Sequence, residues 1–211
     1  MSRIGVRIAG KTKLYHGHFR LDRYRFRHRL HTGGWSANLT REVFDRGNAV
    51  GLLLYDPARD AVVLTEQFRL PAHVAGASGW QIETVAGMLD HPGESEKAVA
   101  RREAREEAGV AVSGELVPMH RILLSPGGST ECLALYCAQV DSRTAGGVFG
   151  VAEEGEDIKV VVMKFAEAMR MLRADKIANA TATVALYWLA DNRAWLRKRW
   201  KPRLASKRAR A

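Results

Sequence analysis

The chain alternates between two hydrophobic rhythms. From Leu14 to Leu30, LYHGHFRLDRYRFRHRL, apolar side chains fall partly at every second position, with Tyr24, Phe26 and His28 in one series. Period two is the signature of a strand, and this stretch reads as one or two. Thr32-Gly33-Gly34 marks a turn, and Leu39 to Asp45 reads as a third strand. Three short strands with so few apolar residues cannot close a core and need a partner surface. After them the pattern becomes continuous. Ala49 to Tyr55 (AVGLLLY) reads as a buried strand, Asp56 to Asp60 as a turn, and Ala61 to Arg69 as the return strand. Trp80 to Val85, Leu116 to Leu124, Glu131 to Val140 and Lys159 to Met163 are further strand candidates. Phe165 to Leu172 and Ala180 to Trp200 carry the helical period. The expected fold class is α/β (α+β), a mixed sheet flanked by helices with a small N-terminal antiparallel sheet. No internal repeat interrupts it.

Charge divides the chain differently. The net charge is +10 over 211 residues. Met1 to Arg29 holds nine Lys/Arg and one acid, and Arg193 to Ala211 holds nine Lys/Arg and none. Between them the chain carries 15 basic and 22 acidic residues. The core is therefore acidic and the ends basic. The tail KPRLASKRARA has little apolar surface to bury and is expected to be disordered. Its charge would allow contact with nucleic acid, but a solvated tail is the favoured expectation. No apolar run spans a bilayer, and the N-terminus lacks the apolar block of a signal peptide. Cys132 and Cys137, five apart on a strand, should point to opposite faces and act as buried packing residues in a reducing, cytoplasmic setting.

The candidate chemistry concentrates in Gly87 to Val110, GMLDHPGESEKAVARREAREEAGV. Pro92-Gly93 is turn chemistry, Glu94-Ser95 a helix start, and Gly109 a C-terminal stop. In a helix Glu103 and Glu107 stack on one face, with Glu106 beside them, and Arg102 reaches Glu106 four residues on. Like charges at that spacing destabilise a helix unless something binds them. Carboxylate oxygens suit a hard divalent cation, Mg²⁺ or Mn²⁺. The histidines show no zinc-ligand spacing, and neither Gly33-Gly34 nor Gly127-Gly128 is followed by the Gly-Lys-Ser/Thr of a P-loop.

This segment resembles the Nudix box, the signature of hydrolases that cut nucleoside diphosphates linked to another group. The helix half, Arg102-Glu103-Ala104-Arg105-Glu106-Glu107-Ala108-Gly109-Val110, matches at every position. The loop half carries one extra residue between Gly87 and Glu94. Further strings make the chain similar to the ADP-ribose pyrophosphatase branch: GGWS (33–36), LTREVFDRGNAV (39–50), EQFR (66–69), ETVAGMLD (83–90), LSPGGSTE (124–131) and GVAEEGEDIKV (150–160).

The resemblance implies hydrolysis of ADP-ribose to AMP and ribose 5-phosphate, with two or three metal ions. GDP-mannose is the alternative substrate, and a non-catalytic nucleotide- or RNA-binding protein the more distant one. It adds the backbone carbonyl of Ala86 and the carboxylate of Glu156 to Glu103 and Glu107 as metal ligands. It places Glu154 as general base, with Glu153 a rival one residue away, and gives Glu106 and Arg102 supporting catalytic roles. Arg69, Arg41 and Arg46 could clamp phosphates, the last two across a dimer. Glu83 and Glu131 could accept from ribose hydroxyls, and Trp35 or Phe19 could stack on adenine. Gly127 and Gly128 could bring backbone close to substrate. It also implies a homodimer that exchanges its N-terminal sheets. The expected organisation is residues 1–47 as the dimerisation sheet, 48–200 as the hydrolase domain and 201–211 as the basic tail.

Overall fold

The computed structural model describes residues 5–200, with the side chain of Glu154 outside the described set. The basic segment 201–211, with its expected disorder and its contact to nucleic acid, lies outside the described residues. In chain order the elements are β1 (Val6–His16), β2 (Arg20–His28), β3 (Leu39–Asp45), β4 (Ala49–Asp56), β5 (Ala61–Phe68), α1 (Leu70–Val74), β6 (Trp80–Glu83), β7 (Val85–Met88), α2 (Glu96–Glu106), β8 (Leu116–Leu123), β9 (Cys132–Gln139), β10 (Val148–Phe149), β11 (Ile158–Lys164), α3 (Phe165–Arg173) and α4 (Ala180–Arg199).

β1, β2 and β3 form an antiparallel three-stranded sheet. The register pairs Phe26 with both Ile8 and Leu39, and Tyr24 with Arg41. This puts an apolar face on a sheet that the described residues leave largely uncovered: Ile8 is 63% exposed. Its main anchor is β3, where the Phe44 amide donates to the Gly128 carbonyl at 2.8 Å and the Thr130 amide to the Phe44 carbonyl at 3.0 Å.

The larger sheet runs β10-β11-β5-β4-β9-β8. β4 lies at its centre, antiparallel to β5 and parallel to β9, and every one of its residues is buried. Covering by helices on both faces explains its unbroken apolar run. Successive side chains divide between those faces. Val50, Leu52 and Leu54 pack with Val99, Ala100 and Ala104 of α2. Leu53 and Tyr55 pack with Phe165, Met169 and Leu172 of α3 and with Leu186 and Leu189 of α4.

Several expectations need correction. The strand expected at Trp80 to Val85 is two strands that part at Thr84, because β4 and β5 pair only near the Asp56–Ala61 turn and splay apart beyond it. β6 stays on β5 while β7 crosses to β4 and continues to Met88. Strand β1 starts at Val6, earlier than the alternation suggested, and the short elements α1 and β10 had no readable period. Cys132 is only half-buried, whereas Cys137 is buried; both are free thiols.

Candidate active site

The wedge opened between β4 and β5 is floored by β7, which lies against α2. Ser95 caps the start of α2, its hydroxyl accepting from the Ala98 amide. Val99, Ala100 and Ala104 bury one side of the helix and so turn Glu103, Glu106 and Glu107 towards β7. Glu107 is 3% exposed, and its carboxylate accepts from the Ala86 amide at 3.0 Å. Glu103 lies against Gly87, where any Cβ would collide with its carboxylate. The glycine that opens the box is therefore there to make room for a carboxylate, not to make a turn.

Burial pushes the Glu107 carboxyl up to about 8, against the amide bond that lowers it and with the charges of Glu103 and Glu156 adding to the rise. Glu103 is pushed up to about 7, again chiefly by burial, with Glu106 and Glu156 raising it and Arg102 opposing. Arg102 is the counter-charge. It meets Glu103 at 2.8 Å, Glu106 at 2.9 Å and Glu94 at 3.4 Å. The loop half holds a turn, His91 to Glu94, closed by the Glu94 amide on the His91 carbonyl at 3.2 Å. Gly93 has φ +84°, as the third position of a type II turn requires. Glu94 reaches Arg102.

The acidic loop borders the same cleft. Ala152–Glu154 form one 3₁₀ turn, ended by Gly155 at φ +70°. Glu156 lines the cleft, and its carboxylate accepts from the Val151 amide at 2.9 Å. The Gly150 amide donates to the Glu106 carbonyl at 3.2 Å, tying the loop to the end of α2. Glu153 is exposed, and the Glu154 side chain lies outside the described residues.

Among the described residues no three acidic, histidine or cysteine side chains are drawn tightly enough together to ligate one ion. Arg102 occupies the middle of the cluster instead. The donor set nonetheless fits a hard cation. Burial raises the pKa of both Glu107 and Glu103, so added positive charge would favour their ionised forms, and a glycine holds space beside Glu103. Glu103, Glu107, Glu156 and the Ala86 carbonyl are the groups that would hold it.

A second chamber of about 380 Å³ adjoins this cleft and shares Arg46, Ala49, Arg69 and Ala86 with it. Phe19, Glu83, Thr84, Glu131, Asn179 and Thr181 line the rest. Glu83 is buried, and the Arg69 guanidinium donates to its Oε2 at 2.8 Å from Nη2 and 3.1 Å from Nε. The Glu131 carboxylate lies 3.7 Å from Arg46. The other candidates are elsewhere in this chain. Arg41, Gly127 and Gly128 line an apolar depression with Val6, Ile8, Tyr24 and Phe26. Trp35 is held between the guanidiniums of Arg7 and Arg29, at 4.3 and 4.5 Å. Sequence reasoning missed Thr84, Asn179 and Thr181. Asn179 alone left a signal, as an N-cap residue before the period of α4.

The NUDIX domain profile matches residues 45–186. The chain belongs to the Nudix family. As a Nudix protein it is 45% identical to the ADP-ribose pyrophosphatase of Escherichia coli (strain K12), over 92% of each chain. It is 41% identical to the ADP-ribose pyrophosphatase of Haemophilus influenzae, over 93% of this chain and 91% of the relative. It is 38% identical to the GDP-mannose pyrophosphatase of Pectobacterium atrosepticum, over 92% and 97%. The Nudix fold is also seen in a crystal structure of an ADP compounds hydrolase, with a TM-score of 0.69, 19% identity, and coverage of 95% of this chain and 98% of that one.

Proposed function

We propose that this protein hydrolyses the pyrophosphate of ADP-ribose. Water adds to one phosphorus, the bridging P–O bond breaks, and AMP and ribose 5-phosphate leave. The observation that carries the reading is the pairing of a buried carboxylate cleft with an adjoining chamber across Arg46 and Arg69. Carboxylates alone repel a pyrophosphate, so the first compartment makes sense only with cations. The relatives favour ADP-ribose over GDP-mannose through their higher identity.

Two or three divalent ions, Mg²⁺ or Mn²⁺, would neutralise the phosphates and lower the pKa of the attacking water. Glu103, Glu107, Glu156 and the Ala86 carbonyl hold that charge in place. Arg102 keeps Glu106 and Glu103 oriented. Arg69 and Arg46 stand at the junction of the chambers, where a diphosphate passing from one to the other would meet both. Glu131 faces the ribose side, and of the two aromatic candidates Phe19 is the one beside the chamber. Glu154 accepts the proton of water, and a loop tied down by few bonds is suited to closing over substrate.

The uncovered apolar face of β1–β3 supports a homodimer in which that sheet is exchanged. Arg41, Trp35, Gly127 and Gly128 would then serve a site only across the interface. No helix among the described residues is long and apolar enough to cross a membrane, and cytoplasmic placement belongs to this same reading.

The test is phosphate release, through a coupled phosphatase, from ADP-ribose, GDP-mannose, ADP-glucose, NADH and diadenosine polyphosphates, each with Mg²⁺ and with EDTA. Metal-dependent turnover led by ADP-ribose is expected. A lead by GDP-mannose moves the substrate and keeps the chemistry, and no turnover on any of them removes the reading.

A further inference from the structure

We infer that Asn179 is a positioning residue for the Arg69 guanidinium, acting through Glu83. The inference rests on Arg69 being a phosphate contact, as proposed above. Glu83 is a buried carboxylate whose two oxygens are divided between neighbours. Oε2 accepts from Arg69 Nε and Nη2, and at 3.5 Å from Gln67. Oε1 accepts from Asn179 Nδ2 at 2.9 Å. A carboxylate with one oxygen bonded can still swing about its last torsion. With both oxygens bonded from opposite sides it becomes a fixed rack for the arginine.

Asn179 is itself fixed. Its Oδ1 accepts from the Ala182 amide at 3.0 Å and caps α4, so only Nδ2 is left to face Glu83. Helix α4 is 20 residues long and buries Ala182, Ala185, Leu186, Leu189 and Leu196 in the core. The chain of contacts therefore runs from a rigid helix, through an amide that cannot flip without losing its cap, to a guanidinium at the mouth of the cleft. Both bonds made by Glu83 hold the side of Arg69 that carries Nε and Nη2. Nη1 has no hydrogen-bond partner among the described residues. Arg69 is thus braced from behind and offers Nη1 outward.

The side-chain amide is the chemistry this place requires, since it accepts for the helix and donates to the carboxylate at once. Serine and aspartate cap a helix as well as asparagine does, but the aspartate carboxylate has no proton to donate, and the serine hydroxyl ends one heavy atom short of the place from which Asn179 Nδ2 reaches Glu83. Asn179→Ser is expected to fold, with a melting temperature lowered by a few degrees by the Glu83 oxygen left unpaired, and to raise KM for ADP-ribose about tenfold, the worth of one well-placed charge-assisted hydrogen bond. Its kcat should change by less than about threefold, because the metal cleft is untouched. Asn179→Asp should be worse, since it sets a second carboxylate against Glu83. Adding Glu83→Gln to Asn179→Asp should recover most of the loss. The amide nitrogen introduced at position 83 would donate to the carboxylate introduced at position 179, and its carbonyl would accept from Arg69.

The deciding measurement needs no substrate. In ¹⁵N relaxation of the full chain, the Arg69 Nε–H should be ordered in the parent, mobile in Asn179→Ser and Asn179→Asp, and ordered again in the double variant. An Arg69 Nε–H that stays ordered in both single variants overturns the inference, whatever the enzyme does. Loss of order without any rise in KM would instead retain Asn179 as the brace and remove Arg69 from the phosphate site.

Discussion

Helix α2 and the loop at 151–157 both bring carboxylates to the cleft, and they hold them in opposite ways. On α2 the carboxylates are fixed by the helix period and pressed into the protein, so Glu107 and Glu103 are costly to ionise. On the loop the backbone rests on a few bonds to Val151, Ala152 and the end of α2, and Glu153 stands in solvent. The helix supplies carboxylates whose positions the fold fixes. The loop supplies carboxylates on a backbone with freedom to move. A pyrophosphatase needs both kinds: a site that stays put for cations, and a base that arrives with substrate.

The largest effect should come from the most buried member. Glu107→Gln keeps the shape and the acceptor for the Ala86 amide but removes the charge. Turnover with Mg²⁺ is expected to fall by about 10³-fold or more. Above about pH 8 the metal-free variant should melt no lower than the parent, because a neutral amide is cheaper to bury than a carboxylate. Activity within tenfold of the parent would put the cation elsewhere and end the contrast between helix and loop.

The loop should give a smaller, differently shaped loss. Glu154→Gln is expected to lower kcat by about 10²-fold with KM nearly unchanged, as removal of a general base does. Glu153→Gln should be close to silent. Steady-state kinetics on both variants decides the register. If Glu153 carries the loss, the base is one residue earlier, on a side chain that is exposed to solvent.

This contrast also explains what could be read from the sequence. The helix half of the site was legible because the spacing of Glu103, Glu106 and Glu107 is covalent and one period converts it into a face. The centre of the sheet was legible for a similar reason, since AVGLLLY admits few placements other than a strand covered on both sides. The break at Thr84 was not. It depends on β4 and β5 splaying, which is a property of two strands together and leaves no mark on the one that bridges them. The Glu83–Asn179 contact joins residues 96 positions apart, and only the cap signal of Asn179 was local. Arg41, Trp35, Gly127 and Gly128 stood in informative strings, but the fold of one chain sets them away from the cleft.

Acidity offers a third test, aimed at the helix alone. Glu107 and Glu103 have folded pKa values raised to about 8 and about 7, above the ordinary glutamate value of 4.5. Between pH 4.5 and 8 the folded, metal-free protein therefore binds more protons than the unfolded chain, and its stability falls as pH rises. The loss should be on the order of 2 kcal/mol across that span, part of the charge being rehydrated as the cleft opens. Saturating Mg²⁺ should flatten the slope, because the ion replaces the protons. Urea unfolding at about pH 5, 6.5 and 8, with and without Mg²⁺, measures it. A flat metal-free profile would mean that the α2 carboxylates are not buried in solution, and the distinction between the two carriers of charge would shrink to one of position.

The smallest effect concerns the loop half of the box. The turn from His91 to Glu94 places Gly93 at φ +84°, with no atom within 4 Å of where a Cβ would stand. Gly93→Ala thus meets backbone strain and no collision, and should cost about 1 kcal/mol of stability. Because Ser95 caps α2 independently and Glu94 meets Arg102 only at 3.4 Å, the helix carboxylates should hold their places and kcat should stay within about twofold. Denaturation and turnover measured on the same preparation separate the two. A drop in kcat well beyond twofold would show that the turn governs where Arg102 sits, and that the helix owes part of its rigidity to the loop before it.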